Sequence, residues 1–89
     1  MRRKRSLKKP IVLHGRQLRI VKSFNLALEG IKGIVVEETK KTIVLKREDG
    51  RITRVPKLGS LFELSYDSKR YLIEGGLLLG RVERRIKRA

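Results

Sequence analysis

The stretch GIKGIVVEETKKTIVLKREDGRITRVPK, residues 30–57, decides the fold of this chain. Its three short runs of β-branched residues are separated by a polar Glu-Thr-Lys-Lys corner and by a Glu-Asp-Gly turn. β-Branched residues favour strands, and Asp-Gly supplies the positive φ that a tight hairpin requires. The stretch therefore predicts an antiparallel meander with lysines at both corners.

Strand patterns continue on both sides of this meander. We predict strands at residues 18–22, 34–38, 42–47, 51–55, 61–66 and 70–74, and a loop at 23–29. Pro56 ends the fourth strand because proline cannot donate to a ladder, and Gly75-Gly76 breaks the sixth. Six strands at a spacing of about ten residues favour an all-β fold, a small and strongly bent antiparallel barrel.

Length and composition exclude several classes of protein. A chain of 89 residues forms one small domain with a modest core. With no cysteine and a single histidine, His14, it has neither disulfides nor a Cys/His zinc site. Its apolar runs are far shorter than the roughly 18 residues that span a bilayer, and too short for a signal peptide. We therefore expect a soluble, cytoplasmic protein without membrane contact.

The formal net charge of +15 is concentrated at the two ends of the chain. Residues 1–10 carry six basic and no acidic residues, and residues 81–89 carry five basic residues and Glu83. Such a chain favours polyanions as partners, nucleic acid first and an anionic membrane surface second. Neither end has the bulky apolar face that an interfacial helix buries, which favours nucleic acid.

These patterns divide the chain into a basic tail at residues 1–10, a barrel domain at 11–80 and a basic tail at 81–89. In the second tail Val82 and Ile86 lie at i and i+4, the spacing of a short helix that needs a cover for its apolar stripe. Pro10 interrupts any helix through the first tail, and we expect residues 1–9 to be disordered in isolation.

Catalysis by this chain alone is not expected. Enzymes that cleave nucleic acid need a pair of acid and base groups, or several carboxylates that converge on metal ions. His14 is the only histidine, and the nine acidic residues are scattered. Glu37 and Glu38 are neighbours in a strand and so point to opposite faces. The sequence predicts neither catalytic residues nor a metal site.

Five segments carry a resemblance to a known family: GIKG at 30–33, VVEETKKT at 35–42, VPK at 55–57, Gly76, and RVERR at 81–85. Together they resemble the archaeal ribonuclease P protein component 1 family, which has relatives in eukaryotic ribonucleases P and MRP. The resemblance covers residues 14–87. The chain departs from the family at Leu26 and Val82, where proline is usual, and in a shortened amino-terminal helix.

The resemblance implies an Sm-like barrel and a noncatalytic RNA-binding subunit of the ribonucleoprotein that removes 5′ leaders from precursor tRNA. It implies ribonuclease P RNA, a zinc-ribbon protein subunit and other ribonuclease P proteins as partners, with precursor tRNA contacted indirectly. No cofactor is expected on this chain, because magnesium is held by the RNA. Two alternatives stay open, a small basic structural protein that binds DNA or rRNA, and a metal-independent nuclease that uses His14.

The expected RNA contacts are polar and basic residues of the corners and tails. They are Arg2, Arg3, Lys4, Arg5, Lys8, Lys9, Thr39, Lys40, Lys41, Lys57, Arg81, Arg84 and Arg85. For the arginines after residue 80, contact with the protein partner competes with RNA contact. The resemblance places Ile11, Leu13, Val82 and Ile86 at the zinc-ribbon partner. Base stacking is expected to be minor, since Phe62 and Tyr66 fall on the core face of their strand.

Overall fold

The computed structural model describes residues 12–80. Its strands are β1 (Gln17–Lys22), β2 (Lys32–Glu38), β3 (Thr42–Arg47), β4 (Ile52–Pro56), β5 (Leu61–Tyr66) and β6 (Lys69–Glu74). Two short 3₁₀ helices, Leu26–Leu28 and Gly75–Leu78, follow β1 and β6. The six predicted strands are confirmed, β3 and β5 with the predicted bounds. The predicted tails, and with them the three-part division of the chain, fall outside the described residues.

All six strands belong to one antiparallel sheet in the order β4-β3-β2-β1-β5-β6. The register shifts between Val35 and Glu37 where β2 pairs with β3, and between Ile20 and Lys22 where β1 pairs with β5. Irregularities of this kind increase the twist of a sheet and bend its strands. The predicted all-β class and the bent antiparallel sheet are thus confirmed.

The bend brings together the segments that follow the two edge strands, β4 and β6. Gly75 packs against the backbone of Lys57 so closely that a Cβ atom on it would overlap the Lys57 carbonyl oxygen. Its N–H donates to the carbonyl of Ser60 at 2.7 Å. The 3₁₀ helix after β6 therefore closes one end of the curved sheet.

The core lies on the concave face of the sheet. Residues alternate along each strand, so that Leu18 and Ile20 of β1 and Phe62 and Leu64 of β5 point inward. The remaining members of the cluster are Leu13, Val35, Ile43, Leu45, Val55, Ile73 and Leu78. One small core therefore holds all six strands. The alternate positions form an outer face that is largely open to solvent, although Val44 on that face is only 4% exposed.

The tight turn between β3 and β4 confirms the prediction from Asp49-Gly50. Gly50 has φ +90°, a conformation that glycine adopts without steric cost. The Asp49 carboxylate accepts a hydrogen bond from the Arg51 N–H at 3.0 Å. That bond lowers the pKa of Asp49, and the charge of Arg51 adds to the effect.

Within residues 12–80, no helix is long and apolar enough to cross a membrane.

Candidate nucleic-acid interface

Residues 39–41 form the corner between β2 and β3, which we call the lysine corner. Thr39 and Thr42 close it: the Thr39 N–H donates to the Thr42 carbonyl at 2.9 Å, and the Thr42 N–H donates to the Thr39 hydroxyl at 3.0 Å. The two hydroxyl oxygens lie 2.6 Å apart. Thr39 therefore uses its side chain to shape the turn.

The backbone carbonyls of the lysine corner are all held by other segments. Lys57 donates its N–H to the Lys41 carbonyl at 2.8 Å, and Gly80 donates to the Lys40 carbonyl at 2.9 Å. The Lys57 ammonium donates to the Thr39 carbonyl at 2.7 Å. The side chains of Lys40 and Lys41 are exposed. The corner thus presents two exposed cations on a fixed backbone.

The location of Lys57 corrects the prediction that this residue contacts RNA. Its side chain is fully buried. Besides Thr39, its Nζ atom contacts the Glu38 carboxylate at 2.8 Å, the Gly80 carbonyl at 3.1 Å and the Lys40 carbonyl at 3.4 Å. The Lys57 ammonium therefore makes its contacts inside the protein, where it holds the backbone carbonyls of the lysine corner in place.

The Lys57–Glu38 pair is a buried ion pair, since the side chain of Glu38 is only 10% exposed. A buried charge is tolerated only when it is paired and hydrogen-bonded, and here one carboxylate and several carbonyl oxygens supply that compensation. The pair ties the end of β2 to the segment after β4. It therefore fixes the position from which Lys40 and Lys41 project.

Of the other predicted site residues, only Leu13 lies within residues 12–80. Leu13 is fully buried in the core, so its side chain is not accessible to a protein partner, and that prediction is corrected. All the remaining predicted residues lie outside the described part of the chain. They are Arg2, Arg3, Lys4, Arg5, Lys8, Lys9 and Ile11 before it, and Arg81, Val82, Arg84, Arg85 and Ile86 after it.

The aromatic residues differ sharply in exposure. Phe62 is fully buried, as predicted, whereas Tyr66 is 38% exposed rather than part of the core. The Arg16 guanidinium lies 4.1 Å from the centre of the Tyr66 ring. Phe24 is 88% exposed and rests against Gly59. Phe24 is thus the aromatic ring most accessible to a base.

No cluster of three or more potential metal ligands occurs among residues 12–80. His14 is exposed, and its Nε2 atom lies 3.1 Å from the Val36 carbonyl oxygen.

Fold and corner together define a class: small, strongly basic, all-β proteins built on one bent six-stranded sheet, with two lysines on a rigid turn. Comparison with known proteins then gives the family. Residues 11–88 match the family described as ribonuclease P/MRP, subunit p29. The chain belongs to this family.

Similar proteins from archaea support this assignment, and the chain is of archaeal type. Ribonuclease P protein component 1 of Methanocaldococcus jannaschii is 41% identical over 76 residues, which cover 85% of this chain and 80% of the relative. The Thermococcus sibiricus protein of the same name is 35% identical over 89 residues, 97% of this chain and 71% of the relative. The solved structure of Mth11, a homologue of the human RNase P protein Rpp29, matches with a TM-score of 0.60 at 35% identity. This match covers 85% of this chain and 99% of that chain.

Proposed function

We propose that this ribonuclease P subunit binds RNA and is noncatalytic, and that it supports removal of 5′ leaders from precursor tRNA by the catalytic RNA. The family match over residues 11–88 carries the proposal. The net charge of +15 and the exposed Lys40 and Lys41 supply the affinity for a polyanion.

The lysine corner suits a phosphate contact that positions the protein without reading sequence. Its backbone is held by hydrogen bonds to all three carbonyls, so the two lysines lose little freedom beyond their own side chains on binding. Phe62 is buried and the Arg16 guanidinium lies 4.1 Å from the centre of the Tyr66 ring, which leaves Phe24 as the ring most accessible to a base. Recognition therefore depends mainly on the shape and charge of the RNA. Binding should therefore weaken steeply as salt rises.

The same proposal includes the partners and the compartment. The chain would act in the cytoplasm with ribonuclease P RNA, a zinc-ribbon protein subunit and other ribonuclease P proteins, and would meet precursor tRNA indirectly. It would carry no cofactor of its own, the magnesium ions being held by the RNA. The barrel would be of the Sm-like type.

Reconstitution tests the proposal. Adding the chain and a zinc-ribbon subunit to ribonuclease P RNA should raise the rate of precursor tRNA cleavage above that of the RNA alone at the same magnesium concentration. The variant Lys40→Gln/Lys41→Gln should reduce that gain, because it removes the two exposed charges and leaves the buried Lys57 in place. No gain with the wild-type chain would refute the proposal. Preference for duplex DNA over structured RNA at matched salt would favour the structural-protein alternative.

The basic residues of the first tail should contribute to the salt dependence of binding. Replacing Arg2, Arg3, Lys4, Arg5, Lys8 and Lys9 with alanine is expected to flatten the plot of log K against log salt. The magnitude of the slope should decrease by about 0.7 for each phosphate that the tail no longer neutralises on a single strand, and by about 0.9 on a duplex. Titrations of RNA binding at several salt concentrations measure this slope. A tail of the same composition in scrambled order is the control, and an unchanged slope in the alanine variant would show that the tail neutralises no phosphate.

A further inference from the structure

A shallow concavity of about 210 Å³ lies on the outer face of the sheet, away from the lysine corner. We call it the β1 trough, because it is centred on the outward side chains of β1. Its lining residues are Gln17, Arg19, Lys32, Glu63, Ser65 and Arg70.

The register of the sheet fixes the β1 trough. Gln17 lies opposite Ser65, and Ser65 lies opposite Arg70 on the next strand. Residues that face each other across antiparallel strands point to the same side of the sheet. The intervening Leu18 and Leu64 point into the core, where both are buried. The trough is therefore built on rigid strands rather than on loops.

The β1 trough carries a net positive charge, since three basic residues and one acidic residue line it. Arg19 is already paired with Glu63, with the Arg19 Nε atom 3.2 Å from Oε1. This pairing leaves Lys32 and Arg70 as the excess positive charge, one on β2 and the other on β6. Neighbouring strands are about 4.8 Å apart, so the backbones of these two residues are separated by roughly 14 Å across the strands, and by two further residues along them. Between them lie the Arg19–Glu63 ion pair and the uncharged Gln17 and Ser65, so the floor carries no net charge.

The floor residues distinguish RNA from a plain polyanion. Gln17 offers an amide and Ser65 a hydroxyl, groups that can both donate to and accept from a ribose 2′-hydroxyl. RNA is recognised in large part through such 2′-hydroxyl contacts, together with phosphates. Two cations that flank a floor of no net charge, with Gln17 and Ser65 as hydrogen-bonding groups, match a sugar–phosphate backbone better than an apolar or purely acidic protein surface.

We infer that the β1 trough binds the sugar–phosphate backbone of structured RNA, with Lys32 and Arg70 on phosphates and Gln17 and Ser65 on ribose hydroxyls. The inference rests on the proposed function and adds to it a binding surface on the wall of the sheet. Arg19 is a positioning residue there, since its ion pair with Glu63, 3.2 Å long, offsets the charge of that carboxylate.

Gln17→Glu is the sharpest single test, because it places a carboxylate on the floor of the trough with almost no change in shape. Asn25→Asp is the matched control: it makes the same chemical change at the start of the first 3₁₀ helix. There the Asn25 side chain accepts from the Ala27 N–H at 3.1 Å, a role that aspartate also fills. Affinity for ribonuclease P RNA at low salt should fall about threefold to tenfold for Gln17→Glu. Asn25→Asp should bind as the wild type does.

A paired set of charge variants tests the phosphate contacts. Lys32→Gln/Arg70→Gln should make the plot of log K against log salt less steep. The magnitude of its slope should decrease by about 1.4 to 1.8, the value for two contacts. Arg51→Gln/Lys69→Gln removes the same net charge at two hairpin turns, and Lys69 lies on the opposite face of β6 from Arg70. This control should keep the wild-type slope. Denaturation curves of all four variants verify that each is folded.

The outcomes separate the inference from the proposed function. Wild-type affinity in Gln17→Glu would overturn the inference and leave the proposed function intact. The same follows if Lys32→Gln/Arg70→Gln and its control Arg51→Gln/Lys69→Gln reduce the salt dependence of RNA binding equally. Weaker binding to a protein subunit with RNA binding intact would also overturn it, by assigning the trough to that protein. A wild-type chain that does not bind ribonuclease P RNA would overturn both the proposed function and the inference.

Discussion

Lys57→Met is expected to lower the free energy of unfolding by about 3 to 5 kcal/mol, the cost of removing one partner from a buried ion pair. Methionine fills a similar volume, but it leaves the Glu38 carboxylate and three backbone carbonyls without the ammonium they contact in this structure. Domains of this size are stable by only about 5 to 15 kcal/mol, so the variant loses a large part of its stability. Urea denaturation followed by circular dichroism measures the change.

Two variants make the Lys57 prediction specific. Lys41→Met removes an exposed lysine from the same corner and should change stability by no more than about 0.5 kcal/mol. Adding Glu38→Gln to Lys57→Met should restore part of the stability, because the unpaired buried charge disappears with it. A decrease below about 1 kcal/mol for Lys57→Met would contradict the role assigned to the pair.

The strands could be predicted because their signals are local. The run at residues 42–47 is rich in β-branched residues, the run at 61–66 places Phe62, Leu64 and Tyr66 on one face, and β3 and β5 have those bounds. The first residues of β2 escape prediction because Gly33 weakens the strand pattern. In the structure Gly33 lies beside the Lys46 carbonyl, a close approach that only the pairing with β3 reveals.

The burial of Lys57 could not be predicted from local pattern. In the sequence it is one more lysine after a proline, and such lysines are usually exposed. Its partners Glu38, Thr39 and Gly80 lie 19, 18 and 23 residues away. They contact the Lys57 ammonium only because the sheet is strongly bent. The side chain that was predicted to contact RNA at the surface is therefore a buried structural residue.

The candidate RNA surface could be predicted only in part for the same reason. Lys40 and Lys41 are adjacent to a turn signal, and their exposure follows from the turn itself. The β1 trough draws its residues from β2, β1, β5 and β6, which are neighbours in the sheet but run from residue 17 to residue 74 in the sequence. Charges scattered along a chain become a site only when strand order places them together.

Gly75→Ala is expected to lower the free energy of unfolding by about 3 kcal/mol, at the upper end of the usual cost of overpacking. A Cβ atom at Gly75 would overlap the Lys57 carbonyl oxygen, and a backbone atom cannot rotate away as a side chain can. Relief requires the 3₁₀ helix after β6 to separate from the segment after β4. That movement would also strain the bond from the Gly75 N–H to Ser60, which is 2.7 Å long.

The neighbouring Gly76→Ala is the matched control for this prediction. A Cβ atom there would lie 3.6 Å from the Leu58 side chain, an ordinary contact. Its stability should therefore stay within about 1 kcal/mol of the wild type, the range of a glycine-to-alanine change without a clash. Equal stabilities for the two variants in denaturant melts would show that the closure of the sheet end does not depend on Gly75. A selective decrease in Gly75→Ala, with faster hydrogen exchange of the Lys57 amide, would show that one junction holds both the sheet end and the lysine corner.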